Sequence, residues 1–432
     1  MNLQNKEGKG MSFICNMFRA LRHRNYAIFC AGQMISLIGN WMQTMAMSWL
    51  IFRLTGSSTQ LGAVTFCAQI PILLFVSWGG IVADRYPKRT VLLWTQSLFM
   101  LLTGALAALT LSGDAALWHI YLISLLTGLV TAIDMPARQA FIVHMVEGHN
   151  DLSNAIILNS TMVNGARLIG PSIAGILVAW LGEGHCFLLN SLSYLAVLTS
   201  LINITVTGFA PSSNKENPLQ SLIKGYEFAI KNQPIASLML AVATMSLNAS
   251  AHTVLMPIFA ANVLHGDSKT MGLLLGTEGI GAITGALILA CRRSPKGLEK
   301  IIATASILCG VLLVLLSFTN STRIAILCLI PLGMTILGQL STSNTLVQYL
   351  TPDYLRGRVM GLHAMMFMGL HPIGAFCYGF LADKVGTPTA LSVSGVMMLF
   401  GSLRFALTLR SFRIHARRLL SLTERCNLAM RH

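Results

Sequence analysis

Long apolar stretches alternate with short polar connections along almost the whole chain. A transmembrane helix needs about 20 mainly apolar residues, and twelve stretches meet that requirement. They are residues 26–52, 58–83, 90–112, 116–135, 154–181, 186–207, 236–262, 270–291, 300–319, 323–349, 358–381 and 388–410. The pattern therefore predicts an all-α membrane protein with twelve transmembrane helices. An even number of spans places both ends of the chain on one side of the membrane.

The one long hydrophilic connection, residues 208–235, lies near the middle of the chain. It separates an N-terminal six-helix half, residues 1–207, from a C-terminal six-helix half, residues 236–432. The first half begins with a basic tail and the second ends with one. Two such halves are typical of transporters built from a structural repeat. Residues 219–232 can form a short amphipathic helix inside this linker.

The basic residues are distributed unevenly between the two sides of the predicted spans. We assign 25 of the 30 Lys and Arg residues to one side, four to the other, and Arg167 to the interior of a span. Because Lys and Arg accumulate on the cytoplasmic side, we expect cytoplasmic termini in a bacterial inner membrane. The net charge of +15 then reflects topology and contact with membrane lipids. We expect no nucleic-acid partner, since the basic residues are spread over separate loops and tails.

A compact charged cluster follows the second span. It consists of Gly80, Asp84, Arg85, Lys88 and Arg89. The small residues before it allow a neighbouring helix to approach closely. A carboxylate at the end of a membrane helix is costly without a partner, so we expect Asp84 to have one.

This cluster resembles a signature of the major facilitator superfamily of transporters. There a Gly, three residues, Asp, a basic residue, any residue, Gly and two basic residues follow the second helix. Pro87 stands here where the family usually has Gly. In the superfamily fold the second and eleventh helices meet, which implies that Asp84 lies beside Arg358 and forms a conformational latch. The alternative is a basic loop that only sets topology.

The fifth span carries a second pattern, formed by Gly165, Gly170, Pro171 and Gly175. It resembles the Gly-Pro signature in the fifth helix of superfamily exporters that exchange substrate for protons. Residues 136–139 and 159–171 also resemble the bacterial exporters related to the enterobactin exporter, a branch that includes macrolide efflux proteins. The resemblance implies the major facilitator fold and favours efflux.

Four charged residues in the predicted spans or at their ends are candidates for proton coupling or for an interdomain charge. Arg167 and Glu278 are predicted at similar depths, roughly 20 Å and roughly 18 Å from the cytoplasmic face. Since the fifth and eighth helices meet in the superfamily fold, we hypothesise an Arg167–Glu278 pair between the halves. The alternative is that each finds backbone or water separately. Asp134 and Arg138 are spaced for a pair on one helix, which favours a structural role over proton coupling.

Polar residues recur at steps of three and four in the first, fourth, seventh and tenth spans. The resemblance implies that these spans line a central substrate cavity. The alternative is that their side chains only join helices by hydrogen bonds. The predicted lining residues are Gln33, Asn40, Gln43, Thr127, Thr131, Asn248, His252, Gln339 and Ser343.

The sequence gives no sign of an enzyme or of a cofactor. The nine Cys are scattered without a Cys-x-x-Cys or Cys/His cluster, so we expect neither a metal site nor a disulfide framework. The chain has no G-x-x-x-x-G-K-[ST] motif for ATP, and no loop carries a convincing catalytic group.

These patterns together predict a monomeric secondary active transporter. We expect it to export a small molecule, either a siderophore or an amphipathic drug, by alternating access and proton antiport. Two other functions remain open. One is uptake or flipping of a lipid or small molecule by the same fold, and the other is a non-transporting membrane receptor or scaffold.

Overall fold

The structure, a computed structural model, describes residues 19–146, 149–204, 218–290, 292 and 297–429. In that part of the chain the regular structure is helical, and a short 3-10 helix, Arg19–Arg22, comes first. The α-helices are α1 (Arg24–Thr55), α2 (Ser58–Arg85), α3 (Lys88–Ser112), α4 (Leu117–Met145), α5 (His149–Leu181), α6 (Glu183–Asn203), α7 (Pro218–Lys231), α8 (Gln233–Ile258), α9 (Ser268–Ala290), α10 (Leu298–Ser317), α11 (Thr322–Leu350), α12 (Asp353–Val385) and α13 (Thr387–Ala429).

A helix occupies most of each predicted span, and α7 confirms the predicted linker helix. Within the described residues, eleven helices are long and apolar enough to cross a membrane. Helix α1 is not among them although it has 32 residues, because several amide side chains interrupt its apolar sequence. The membrane-spanning character of α1 therefore stays a prediction. Outside the described residues lie 1–18 of the predicted N-terminal tail, 205–207 of the predicted sixth span and 208–217 of the predicted linker.

Two predicted helix ends were wrong. Helix α4 was expected to end at residue 135, but it continues through Pro136 to Met145. Helix α13 was expected to end at residue 410, but it continues to Ala429 because Leu and Arg, both good helix formers, dominate that stretch. Its 43 residues span roughly 64 Å, about twice the thickness of the hydrocarbon core. The end of α13 therefore reaches beyond that core.

The chain divides into two compact units. Unit 1 comprises Met1–Met47 and Leu74–Ser213, and unit 2 comprises Ser48–Leu73 and Asn214–His432. The division after residue 213 falls inside the predicted linker. The sequence-based division into two six-helix halves stays a prediction.

Each unit has its own apolar core. In unit 1 the core joins α1 to α3, α4 and α6, and Phe29 meets Phe141 edge-on with 5.9 Å between ring centroids. In unit 2 the core joins α8 to α10, α11, α12 and α13. Its central side chains include Ile235, Ile302, Val347, Val359 and Phe412.

Glycines bring α9 and α11 into backbone contact within unit 2. A β-carbon at Gly281 would overlap the carbonyl oxygen of Ile330, and one at Gly333 would overlap that of Glu278. Close approach at small residues is the usual way in which membrane helices associate, since dispersion contacts replace the hydrophobic effect there. This contact fixes the backbone on which Glu278 sits.

We expect Gly281→Ala to destabilise the protein because the added methyl group has no space. The expected loss is about 1–3 kcal/mol, the range for overpacking. Gly338→Ala is the matched control on α11, since a β-carbon there would meet no atom within 4 Å. Thermal unfolding of the detergent-purified variants, followed by size-exclusion chromatography, measures the difference. Equal unfolding temperatures for Gly281→Ala and the control would contradict the assigned contact.

Candidate functional site

A buried acid–imidazole pair joins α8 and α9 in unit 2. His252 Nε2 lies 3.3 Å from Glu278 Oε2, and each residue is only 3% exposed. Burying a lone carboxylate is very costly, whereas a partner of opposite charge or a bound proton reduces that cost. The pair can therefore share a proton between α8 and α9, two helices that are each long and apolar enough to cross a membrane.

Sequence analysis named both residues but did not pair them. His252 was assigned to the substrate cavity, and Glu278 was assigned a partner in Arg167. The missed signal is that His252 and Glu278 are almost equidistant from the loop at residues 264–267. Residues equidistant from the turn of a helical hairpin lie at the same depth. An Arg167–Glu278 contact would join the two units and stays a prediction.

Other polar side chains of unit 2 are only partly satisfied. Asn248 accepts a hydrogen bond from the Tyr378 hydroxyl and donates one of 2.7 Å to the Thr244 carbonyl. Gln339 Nε2 donates to the Ala241 carbonyl at 3.0 Å. In the described part of the chain, however, Gln339 Oε1 and Ser343 Oγ are buried without a hydrogen-bond partner. Such groups need an explanation, which water or a polar ligand can supply.

Two of the predicted cavity residues of α1, Asn40 and Gln43, make interhelical hydrogen bonds in unit 1. Asn40 Oδ1 accepts from the Tyr194 hydroxyl at 2.6 Å and from Asn190 Nδ2 at 3.2 Å. Gln43 Oε1 accepts from Asn190 Nδ2 and from Thr103 Oγ1. This network favours the interhelical alternative for Asn40 and Gln43, and their assignment to a cavity stays a prediction.

The remaining cavity candidates of unit 1 are Gln33, Thr127 and Thr131. Gln33 is buried, and its Oε1 has no hydrogen-bond partner among the described residues. The hydroxyl of Thr131 donates to the carbonyl of Thr127 on its own helix at 2.7 Å. The two threonines are half-buried, and their part in a cavity also stays a prediction.

Asp134 is a buried and fully satisfied carboxylate in unit 1. Its Oδ1 accepts from Thr95 Oγ1 at 2.7 Å and from Gln96 Nε2 at 2.8 Å, while Arg138 binds its Oδ2. The carboxylate thus joins α4 to α3. This arrangement favours the structural role over proton coupling.

The glycines before the charged cluster differ in their packing, and the first two charged residues of the cluster are exposed. A β-carbon at Gly79 would overlap the Ala132 carbonyl, which shows that α2 packs closely on α4, whereas Gly80 faces open space. Asp84 and Arg85 are exposed in the last turn of α2.

Helix α3 begins at Lys88, and Arg89 on its first turn binds the end of α6. Its Nε donates to the Leu201 carbonyl at 2.6 Å and its Nη2 to the Ile202 carbonyl at 2.8 Å. Cations are favoured at such helix ends. In unit 2 the backbone of Arg358 packs against Gly225 of α7. An Asp84–Arg358 latch would join the units and stays a prediction.

The helix-five motif positions a cation on an aromatic ring. A β-carbon at Gly170 would lie 2.5 Å from Trp41 Cβ, so α5 approaches α1 closely. The Arg167 guanidinium carbon lies 5.6 Å from the centre of the Trp41 ring, a distance typical of cation–π contacts. Helix α5 continues through Pro171 and Gly175, and Gly165 faces open space.

Sequence analysis missed a polar contact at the start of α2. Within unit 2, Asp383 Oδ1 accepts from the Ser58 N–H at 2.7 Å, and its Oδ2 accepts from the Thr59 N–H at 3.0 Å and from the Ser57 hydroxyl at 2.5 Å. A carboxylate thus satisfies the free N–H groups at a helix N-terminus. The Ser-Ser-Thr sequence indicates the start of a helix. The sequence does not indicate that Asp383, 325 residues after Ser58, binds that start.

We expect Asp134→Asn to destabilise the protein because Arg138 would lose its anionic partner in a buried setting. The expected loss is about 3–5 kcal/mol, the range for breaking a buried pair. Asp114→Asn, on an exposed loop residue, is the control and should change little. Thermal unfolding of purified protein measures stability, and transport per folded molecule should be retained at a permissive temperature. A stable Asp134→Asn variant without transport would instead assign Asp134 to coupling.

The comparisons with known proteins agree over nearly the whole chain. The family model for transmembrane secretion effectors matches residues 15–422. The staphyloferrin A transporter of Staphylococcus aureus is 28% identical over 371 residues, which cover 85% of this chain and 92% of that protein. The enterobactin exporter of Citrobacter koseri is 24% identical over 413 residues, which cover 91% of this chain and 96% of that protein.

Solved structures show the same fold. A POT family transporter crystallised with a thioalcohol-conjugated peptide superposes with a TM-score of 0.72 at 13% identity, covering 90% of this chain and 96% of that one. A bacterial homologue of the human lysosomal transporter Spinster, in an inward-facing state, superposes with a TM-score of 0.68 at 13% identity. The match covers 93% of this chain and 98% of that one. The chain therefore belongs to the transmembrane secretion effectors of the major facilitator superfamily, in the enterobactin-exporter-like branch, and is a multi-pass membrane transporter rather than an enzyme.

Proposed function

We propose that this protein exports a siderophore in exchange for protons by alternating access. Two relatives in its branch are named for siderophores, staphyloferrin A and enterobactin. The observation that carries the proton-coupling part is the buried His252–Glu278 pair. The proposal includes twelve spans in two six-helix halves, an inner-membrane location with cytoplasmic termini, and a monomeric transporter.

The coupling follows from the cost of burying charge. With one shared proton the pair is neutral overall, whether the proton is on the imidazole or on the carboxylate, and it is least costly to bury in that form. Loss of the proton leaves a buried anion, which favours a conformation in which the pair reaches water. Protonation and conformation are therefore linked. His252 suits this role because an imidazole side chain can accept and release a proton.

The unsatisfied polar atoms of α11 favour a polar substrate over an apolar drug. Gln339 Oε1 and Ser343 Oγ are buried without a hydrogen-bond partner among the described residues. Hydroxyl and carboxyl groups of a siderophore can supply both missing bonds, whereas the apolar part of an amphipathic drug would leave these atoms unsatisfied. We place the siderophore ahead of the amphipathic drug because it offers more polar groups for such bonds.

The decisive experiment uses inverted membrane vesicles with an acidified lumen. We expect wild-type protein to accumulate labelled enterobactin or staphyloferrin A in the lumen, and a protonophore to abolish that accumulation. Glu278→Gln should reduce the proton-driven component at least about fivefold, in the range typical of coupling between sites. Glu227→Gln, on an exposed residue of α7, is the matched control and should transport normally.

Substrate exchange without a proton gradient separates coupling from binding. We expect Glu278→Gln to retain this exchange, because the variant loses a titratable group and keeps its shape. Normal proton-driven transport by Glu278→Gln would contradict the role of the pair. Failure of the wild type to transport either siderophore, together with proton-driven transport of a cationic dye, would contradict the substrate assignment alone.

A further inference from the structure

A basic cleft opens between the ends of three helices in unit 2. It has a volume of about 900 Å³ and is lined by the first turns of α10, the end of α11 and the extended part of α13. Its cationic side chains are Arg292, Lys300, Arg413 and Arg417. Glu299 is the one acid among the described lining residues, and Arg413 Nε binds its carboxylate at 2.9 Å. The cleft therefore keeps an excess of positive charge.

An apolar groove continues from this cleft between α9, α10 and α11. It has a volume of about 460 Å³ and shares Arg292, Ile301 and Thr304 with the cleft. The hydroxyl of Thr304 donates to the Lys300 carbonyl at 3.0 Å, and that of Thr335 donates to the Leu332 carbonyl at 2.8 Å. Because both hydroxyls are satisfied within their own helices, the groove needs no polar ligand.

The groove is bordered by exposed apolar side chains. Its three helices are each apolar and long enough to cross a membrane. Ile288 and Leu308 line the groove and are 56% and 44% exposed. The cleft lies where α10 begins and α11 ends, and the ends of membrane helices are expected near the polar headgroups. A single ligand that fills both spaces must have an anionic head and an apolar chain.

We propose that this composite site binds one anionic diacyl phospholipid of the phosphatidylglycerol type. The phosphate would lie among Arg292, Lys300 and Arg417, since basic pockets between membrane helices suit such headgroups. The start of α10, just after Gly297 with its φ of +83°, adds the favourable field of a helix N-terminus. An acyl chain would occupy the groove past Gly338. The lipid would then tie α13 to α10 and α11, independently of any transported substrate.

The charge of the cleft can be tested by native mass spectrometry of the full-length purified protein. We expect phosphatidylglycerol to bind more tightly than phosphatidylcholine with the same acyl chains. The double variant Lys300→Gln/Arg417→Gln should weaken phosphatidylglycerol binding about 10- to 30-fold, since each basic residue contributes about one decade or less. The matched control, Arg323→Gln/Lys384→Gln, removes two exposed charges away from the cleft and should bind as the wild type does.

The groove is tested by a substitution that fills it. Gly338 lines the groove, and a β-carbon there would meet no atom within 4 Å, so Gly338→Leu should fold and weaken phosphatidylglycerol binding. Gly361→Leu, on a residue of α12 that also faces open space, is the control. Glycerol 3-phosphate should compete poorly. Equal binding of the two lipids, unchanged binding in Gly338→Leu, or equally tight binding of glycerol 3-phosphate would overturn the proposal.

Discussion

The cost of placing a carboxylate inside a membrane helix organises unit 2. Glu278 is buried on α9, and a β-carbon at Gly333 of α11 would overlap its carbonyl oxygen. His252 on α8 is the group that shares its charge. A charge this deep is normally retained for a function. The tight backbone packing positions Glu278 beside His252, and in our proposal this pair couples proton binding to the change of conformation.

The polar residues of the spans fall into two physical classes. Asp134, Asn40 and Gln43 have partners on neighbouring helices, so they join helices and have little left to offer a ligand. Gln339 and Ser343 keep buried atoms without partners in the described part of the chain. Only the second class has an unmet need for hydrogen bonds, which places it nearer to the substrate in our proposal.

Much of the fold could be predicted from the sequence, because apolar runs of membrane length leave few alternatives to helices. The ends of α4 and α13 could not, since Pro136 is tolerated inside a helix and the stretch after residue 410 continues as helix outside the apolar pattern. Glu278 could be named as a candidate from the sequence because charge is rare in spans, and its assignment to a site stays a prediction. The His252–Glu278 and Asp383–Ser58 contacts were missed because they depend on how separate helices pack.

The coupling claim is tested most directly by measuring proton flux while a substrate gradient, with no pH gradient, drives transport. Liposomes containing the purified protein, loaded with the siderophore and a pH-sensitive dye, start with equal pH on both sides. The account predicts that the lumen acidifies as wild-type protein releases the siderophore, and that Glu278→Gln releases it without acidification. Siderophore release by the wild type with no change of pH, or equal acidification by the variant, would contradict it.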